Sequence, residues 1–340
     1  MTIDSTGYQP KPQEVHTSWI AGIAARTPAA YFGMVLGLAG LGNAWRAAEQ
    51  TWHIGIAVSE YVLALAAAVW AILVLLFVAK AVLASDKLKA EINHPVQCCF
   101  IGLIGVATML IAGAVEPYSY AAGAMLFLVG FAFTAIFAAW RTGGLWHGER
   151  DPATTTAVLY LPTVAGSFVT ATIASSLGFQ DWGQLAFGAG IFSWLAIESV
   201  LLHRLLTGPM TPPALRPTLG VQLAPAPVGA VAYISVSGGA PDIFVHAMIG
   251  YGILQLVVLL RLSPWLREAG AVMGFWAFSF GATSIATAPV RLLGHGDTSA
   301  ISVVAPITFA LANVFVFGLT LMTVWLLISG RMYGQPAPGK

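Results

Sequence analysis

The sequence predicts an all-α polytopic membrane protein in which ten transmembrane helices form five helical hairpins. Three observations support this fold class: the composition, the spacing of the charged residues, and a repeat whose two members differ. Apolar residues make up 58 % of the 340 residues and Asp, Glu, Lys and Arg only 9 %. Soluble domains contain roughly 45 to 50 % and 25 % of these classes. Because so few charges cannot cover a soluble globule, much of the surface must contact lipid.

The charged residues mark the ends of the predicted spans, because ten long runs contain no Lys, Arg, Asp or Glu. A helix needs about 17 to 25 residues to cross the hydrocarbon, and open sheet would leave backbone groups unpaired there. One run is slightly short, but its apolar pattern continues past Glu198 to Leu202, so we count it as a span. The runs are 27–45, 61–79, 92–115, 117–140, 152–180, 182–197, 217–241, 243–260, 269–290 and 298–330.

The two ends of the chain differ from this apolar region. Residues 1–26 are predicted to be a polar cytoplasmic tail, because they lack the continuous apolar core that a secretory signal requires. Residues 331–340 contain two prolines and two glycines and are predicted to be a disordered tail. The transmembrane domain is therefore expected at 27–330.

Basic residues are distributed very unevenly over the two sides of the ten spans. Thirteen of the fifteen Lys and Arg residues fall on the side of the chain ends, and only Arg46 and Arg291 fall on the other. Loops rich in basic residues remain in the cytoplasm. We therefore expect both termini to be cytoplasmic.

The two helices of each hairpin have different compositions. Odd-numbered spans are rich in Gly, Pro, Ser and Thr, whereas even-numbered spans are mostly bulky and aliphatic. Small residues allow close helix contact, and a proline frees a carbonyl that needs a partner or water. The odd spans therefore suit an inner ring that surrounds a pore, although small residues also pack ordinary helix bundles. Pro225 and Pro227, near the middle of their span, favour a kinked and water-exposed helix.

The residues indicate no catalytic, metal or cofactor site. Cys98 and Cys99 are adjacent and are expected to be buried, reduced thiols. The seven histidines include no His-x-x-x-His pair, and no phosphate-binding nucleotide loop occurs. No basic run is long enough to bind nucleic acid. We therefore expect no enzyme, no metal, no cofactor and no nucleic-acid partner.

Several strings of residues, in order along nearly the whole chain, resemble the bacterial tellurite-resistance/dicarboxylate transporter family, TehA type, which is related to the plant guard-cell slow anion channel. The resemblance covers about residues 28 to 330. The strings are Tyr31-Phe-Gly-Met-Val-Leu-Gly-Leu, Asn43-Ala-Trp-Arg46, His94-Pro-Val, Leu159-Tyr-Leu-Pro-Thr-Val-Ala165, Phe187-Gly-Ala-Gly-Ile-Phe-Ser-Trp194, Leu219-Gly-Val-Gln-Leu-Ala-Pro-Ala226, Tyr251-Gly-Ile-Leu-Gln-Leu256, Leu260-Arg-Leu-Ser-Pro-Trp265 and Trp276-Ala-Phe-Ser-Phe-Gly281.

This resemblance implies a homotrimer in the bacterial plasma (inner) membrane, with a separate pore in each protomer. The five inner helices would surround that pore in a quasi-five-fold arrangement. A phenylalanine of the ninth helix plugs the pore in this family, and the matching residue here is Phe280. A glycine of the first helix gives the phenylalanine ring its room, and the matching residue is Gly33.

Phe280 is the twelfth residue of the 22-residue run 269–290, so its ring should lie near the bilayer centre. An apolar ring can close a narrow pore by dewetting it. On the residues alone, a core aromatic that fills space is the better interpretation, and the resemblance reverses this preference. The predicted pore-lining residues are Gly33, Pro162, Pro225, Ser279 and Gly281.

Three functional hypotheses follow. The first is a passive channel for small monovalent anions such as chloride or nitrate, because the odd spans contain no charged residue that would bind an ion tightly. Anion selectivity would then depend on the cytoplasmic basic residues, on Ser and Thr hydroxyls, and on backbone N–H groups near helix breaks. The second is a proton-coupled carrier or exporter of C4-dicarboxylate, sulfite or tellurite. The third, an embedded enzyme or scaffold, lacks a cluster of catalytic groups.

Glu60 and Glu198 are the only carboxylates within the predicted spans. Glu60 lies about one turn from the outer end, where solvation at the interface accounts for it. Glu198 lies deeper, and His203 and Arg204 are not at helical pair spacing, so its partner is expected on another helix. The family resemblance implies that an acid occupies this place on a helix outside the pore. We therefore favour a structural anchor over a proton relay for Glu198.

Overall fold

The computed structural model describes residues 19–55, 57–148, 150–298 and 300–333, and within these ranges the chain is helical and contains no strand. The α-helices are α1 (Trp19–Arg26), α2 (Gly33–Trp52), α3 (Ala57–Leu83), α4 (Ser85–Asn93), α5 (Leu103–Val115), α6 (Tyr120–Leu145), α7 (Gly166–Ser176), α8 (Gln180–Thr207), α9 (Pro225–Ser237), α10 (Ile243–Arg261), α11 (Ser263–Arg267), α12 (Ser279–Gly294) and α13 (Ile301–Ile328).

Eight helical stretches in the described ranges are long and apolar enough to cross a membrane. Five of them are α3, α6, α8, α10 and α13, and the other three are Gln97–Val115, Ala157–Ser176 and Pro213–Ser237. They correspond to eight of the ten predicted spans. The first and ninth predicted spans correspond to α2, with 20 residues, and α12, with 16. For this pair the crossing remains a prediction, and so does the count of ten spans.

Buried and exposed helices alternate along the chain. In the most apolar part of the three stretches 97–115, 157–176 and 213–237, 72 to 83 % of the residues are buried, whereas in α3, α6, α8, α10 and α13 the share is 17 to 28 %. Most residues of α2 and α12 are also buried. We call α2, α5, α7, α9 and α12 the inner helices and α3, α6, α8, α10 and α13 the outer helices.

The inner helices contact one another in sequence. Helix α2 contacts α5, α5 contacts α7, α7 contacts α9, α9 contacts α12, and α12 contacts α2. The contact between α2 and α12 is especially close. A Cβ atom added to Gly37 would lie 2.4 Å from Ser279 Oγ, and one added to Gly40 would lie 2.2 Å from Thr283 Oγ1. Only a residue without a side chain leaves room for the Ser279 and Thr283 side chains, and this lets the two helices approach closely. The small residues of these two helices are therefore required by packing.

Each inner α-helix is preceded by a tighter or wider helical segment. Four of these segments are 3₁₀ helices, at Ala29–Phe32, Gln97–Gly102, Pro213–Leu223 and Met273–Phe278, and the one before α7 is a π turn at Leu161–Ala165. A proline is favourable at the first position of a helix because the missing N–H would have no intrahelical partner there. Pro225 occupies this position in α9 and starts the α-helix instead of interrupting it.

The beginning of α2 and the end of α13 lie together, because the Tyr31 hydroxyl donates a hydrogen bond to the Met332 carbonyl at 2.6 Å. At the same end, Glu91 accepts bonds from Lys80 Nζ and from the backbone N–H of Ala29, each at 2.7 Å. The predicted N-terminal tail at 1–26 includes α1, an ordered helix that contacts α3. The rest of that tail, and most of the predicted tail at 331–340, lie outside the described residues.

Candidate functional site

Phe280 lies in the first turn of α12 and lines a cavity of about 70 Å³. All five inner segments contribute to the wall of this cavity, and no residue that lines it carries a charge. One representative from each segment is Gly33, Phe100, Val164, Pro225 and Phe280. The side chain of Phe280 is buried. The cavity is therefore small and apolar, and the Phe280 ring forms part of its wall.

The structure brings three of the predicted site residues together and separates three others from them. Gly33 and Pro225 line the cavity with Phe280, whereas Pro162, Ser279 and Gly281 do not. An added Cβ at Gly281 would lie 2.8 Å from the carbonyl carbon of Leu223, so Gly281 serves a backbone contact. Pro162 is buried in the π turn before α7. The pore-lining role of these residues stays a prediction.

Gly40 of α2 lies nearer the Phe280 ring than Gly33, the glycine that the resemblance indicates. An added Cβ at Gly33 would have its nearest neighbours in Trp276, at 3.6 Å and beyond, whereas at Gly40 it would lie 3.5 Å from Phe280 Cδ2. Sequence reasoning missed Gly40. The signal for it was the helical spacing of Gly33, Gly37 and Gly40, which places all three on one face.

Three hydroxyl groups of α12 bond to the backbone of their own chain. Ser279 Oγ donates to the Trp276 carbonyl at 2.7 Å, Thr283 Oγ1 to the Ser279 carbonyl at 3.0 Å, and Thr287 Oγ1 to the Thr283 carbonyl at 2.8 Å. A hydroxyl has a single hydrogen to donate. In this arrangement these three groups therefore have no donor left for an anion.

The Glu198 carboxylate of α8 accepts hydrogen bonds from four side chains. Trp194 Nε1 and Gln222 Nε2 donate at 2.8 Å each, and the hydroxyls of Tyr160 and Tyr251 also donate to it. Tyr160 also lines the Phe280 cavity. Because Gln222 and Tyr160 come from inner segments and Tyr251 from α10, this cluster connects two outer helices to the cavity wall. The sequence indicated a partner on another helix but not these four donors.

At the opposite end from Tyr31, a second cluster joins α2 and α3. Arg46 Nη2 lies 3.2 Å from a Glu60 carboxylate oxygen, and the guanidinium also donates to the carbonyls of Gly113 and Ala114. The Tyr118 hydroxyl donates to Glu60 as well, and this bond raises the pKa of the tyrosine. Arg46 is therefore neutralised by an acid and anchored to the end of α5.

A wider cavity of about 400 Å³, which we call the outer vestibule, lies at this same end. It is formed by the last turns of three inner helices and the residues that follow them. The lining residues are Ala47, Gln50 and Thr51 of α2, Ile234, Ser235 and Gly238 around the end of α9, and Arg291, Gly294 and His295 around the end of α12. Helix α12 therefore carries Phe280 at one cavity and Arg291 at another.

No group of three or more His, Cys, Asp or Glu side chains that could hold a metal ion occurs in the part of the chain that the structure describes. Cys98 and Cys99 are buried, free thiols, which agrees with the sequence expectation. The walls of the two cavities thus contain aliphatic, aromatic, hydroxyl and amide groups together with one histidine and one arginine. This chemistry suits passage or weak binding of an ion more than it suits catalysis.

Comparison with known proteins gives one family. The profile of the SLAC1 family, described as voltage-dependent anion channel, matches residues 26–324. The chain is 36 % identical over 307 residues to the tellurite resistance protein TehA homolog of Haemophilus influenzae, covering 90 % of this chain and 92 % of that relative.

Two plant proteins are more distant relatives. The chain is 23 % identical to the S-type anion channel SLAH3 of Arabidopsis thaliana, over 88 % of this chain and 48 % of the channel. It is also 23 % identical to the guard cell S-type anion channel SLAC1 of the same plant, over 78 % of this chain and 50 % of the channel. The chain thus matches about half the length of these plant channels and nearly the full length of the bacterial relative.

Proposed function

The chain belongs to the SLAC1 family of voltage-dependent anion channels, and on this premise we propose that it conducts small monovalent anions through a pore that Phe280 obstructs. Five inner helices would surround the pore in quasi-five-fold arrangement, as the innermost part of ten transmembrane helices. The observation that carries the proposal is the position of Phe280 in the wall of a cavity to which all five inner segments contribute.

The chemistry of the cavity supports a channel over a tightly binding carrier. A carrier that holds a dicarboxylate would use Arg or Lys in the membrane interior, where charge-assisted bonds are strong. The residues that line the Phe280 cavity carry no charge. Weak binding permits rapid release, which conduction requires. Chloride or nitrate therefore suits this path better than a dicarboxylate.

We further propose a homotrimer in the bacterial inner membrane with both termini in the cytoplasm. The orientation is supported by the thirteen basic residues on one side of the spans. The bond between Tyr31 and Met332 supports placing both ends of the helical domain on the same side of the membrane. Light scattering of the purified protein would measure the trimer, and reporter fusions at each terminus would measure the orientation.

The test of the gate is a comparison of two phenylalanine variants in planar lipid bilayers. Phe280→Ala removes the ring and is expected to raise the chloride current about tenfold, which corresponds to a barrier lower by about 1.4 kcal/mol. Phe317→Ala is the matched control, because Phe317 is exposed on outer helix α13, and this variant should conduct like the wild type. If Phe280→Ala conducts no better than Phe317→Ala, Phe280 is not the gate.

The same recordings separate a channel from a coupled carrier. Current that follows the anion gradient without saturation supports the channel. Saturable flux of C4-dicarboxylate, sulfite or tellurite that requires a proton gradient would support the carrier instead. Resistance to tellurite is tested separately, by comparing cells that express the wild type with cells that express a non-conducting variant at equal protein levels.

A further inference from the structure

Within the described part of the chain, no carboxylate neutralises the one arginine of the outer vestibule. Among the residues that the structure describes, Arg291 has no ion pair, and its guanidinium bonds to the protein only through Nη1, which donates to Ser235 Oγ at 2.9 Å. Arg46, the other basic residue on this side, is paired with Glu60. The two outer arginines therefore differ: one is already satisfied, and the other retains free donors.

The surroundings of Arg291 favour a negative ligand. No acidic residue is among those that line the outer vestibule, and a volume of about 400 Å³ is large enough for a small anion with water. The neighbouring hydroxyls do not compete as donors, because Thr51 Oγ1 donates to the Val290 carbonyl at 3.1 Å and Ser235 Oγ to the Val231 carbonyl at 3.0 Å. Ser235 accepts from Arg291, so it orients the guanidinium.

The position of Arg291 also explains how the protein tolerates it. Arg291 lies in the last turn of α12, where the helix dipole favours a positive charge. A partly buried cation without a counter-ion is nevertheless unfavourable, because it has lost part of its hydration. A mobile anion in the vestibule would compensate this charge. Because the vestibule opens to solvent, the anion would bind weakly and exchange rapidly.

We propose that Arg291 is the anion-binding residue of the outer vestibule and that its ligand is a small monovalent anion, with planar oxyanions such as nitrate preferred over halides. The preference follows from the planar guanidinium, which bonds two oxygens of one oxyanion at once. This proposal deepens the proposed function. Phe280 and Arg291 are eleven residues apart on one helix, about 16 Å, so the site would concentrate anions at the outer side of the gate.

The test measures binding without measuring current. Purified protein in detergent at pH 8, above the ordinary pKa of histidine, is titrated with chloride, and the broadening of the chloride NMR line reports the bound anion. Nitrate competes with chloride for the site, so adding nitrate to the wild type should narrow the chloride NMR line. We expect this narrowing at a lower concentration of nitrate than of additional chloride. Arg291→Gln should reduce the protein-dependent broadening about tenfold. Arg291→Lys should keep chloride binding but lose the preference for nitrate.

Two further variants keep the result decisive. Gln50→Glu places a carboxylate in the same vestibule on an exposed residue, so it should neutralise Arg291 and abolish binding even if Arg291→Gln does not assemble. Arg46→Gln removes a positive charge from the same side and should leave the broadening unchanged. If the chloride line remains broad in both Arg291→Gln and Gln50→Glu, the proposal is overturned. If Arg291→Gln does not fold, persistent broadening in Gln50→Glu is sufficient to overturn it.

A current measurement distinguishes this failure from failure of the proposed function. In a Phe280→Ala background, Arg291→Gln is expected to lower the current carried by inward-moving nitrate more than the current carried by chloride. If Phe280→Ala produces no current but the line broadening still depends on Arg291, the site stands and the channel does not. If current flows but neither Arg291 nor Gln50 affects binding, the channel stands and the site does not.

Discussion

The inner and outer helices are both apolar, but they differ in what their side chains contact. Outer helices expose bulky aliphatic and aromatic residues, which contact lipid in a membrane. Inner helices bring glycines against neighbouring helices, as Gly37 and Gly40 of α2 meet Ser279 and Thr283 of α12. The contrast teaches that small and hydroxylated residues here mark places where backbones approach, while larger apolar residues form most of the cavity wall. Predictions that alter one set at a time test this distinction.

The largest effect is expected where an outer helix is tied to the inner segments by a buried carboxylate. Glu198→Ala would leave the donors of Tyr160, Trp194, Gln222 and Tyr251 without their acceptor. A buried donor left without an acceptor costs about 1 to 3 kcal/mol of unfolding free energy, and four donors lose their acceptor here. Thermal unfolding in detergent measures the loss.

The matched control for this prediction is the other carboxylate of the predicted spans. Glu60→Ala removes an ion pair whose two side chains are partly exposed, so it should cost no more than about 1 kcal/mol. Equal losses for the two variants would contradict the contrast between a buried and an interfacial acid. A Glu198→Gln variant that assembles normally but loses all pH dependence of flux would show a proton relay in place of an anchor.

A smaller effect is expected from adding one methyl group to an inner or an outer glycine. Gly281→Ala places a Cβ 2.8 Å from the Leu223 carbonyl carbon and 2.9 Å from the Ala224 nitrogen, and neither backbone atom can move aside readily. Such overpacking costs about 1 to 3 kcal/mol. Gly318→Ala on α13 meets nothing within 4 Å and should change stability by less than about 0.5 kcal/mol. If the two variants unfold at the same temperature, close backbone contact does not explain the inner glycines.

The smallest effect is expected at a single hydrogen bond between an inner segment and an outer helix. Trp276 Nε1 donates to Thr323 Oγ1 at 2.8 Å, and Thr323 Oγ1 in turn donates to the Leu319 carbonyl. A double-mutant cycle of Trp276→Phe and Thr323→Val should give a coupling of about 0.6 to 1.5 kcal/mol in unfolding free energy. A coupling near zero would indicate that packing alone holds the two elements together.

Much of the fold followed from the sequence, because transfer into lipid depends on composition along the chain. The charge-free runs located eight stretches that the structure also finds long and apolar, and the Gly and Pro content separated buried helices from exposed ones. The start of α9 at Pro225 was not predicted, because Pro225 and Pro227 were expected to kink the middle of a span. The helix α1 within the predicted tail was missed, because an eight-residue helix leaves a weak pattern.

The candidate site was less predictable. The family resemblance selected Phe280 and Gly33, and the cavity includes both, but the approach of Gly40 to the Phe280 ring depends on the rotation of α2 against α12. The counts of basic residues placed Arg46 and Arg291 on one side without distinguishing them. Only the neighbouring helices decide that Arg46 meets Glu60 and that Arg291 meets a hydroxyl.

The sequence by itself determined that this chain is a membrane protein of alternating inner and outer helices, and it predicted most basic residues on one side of the spans and the Phe280 ring near mid-span. The tertiary structure decided which small residues touch backbone, which donors hold Glu198, and which arginine keeps free donors. The physical reason is that partition into lipid is a property of each segment alone. Partners of buried polar groups depend on how helices rotate and pack against one another.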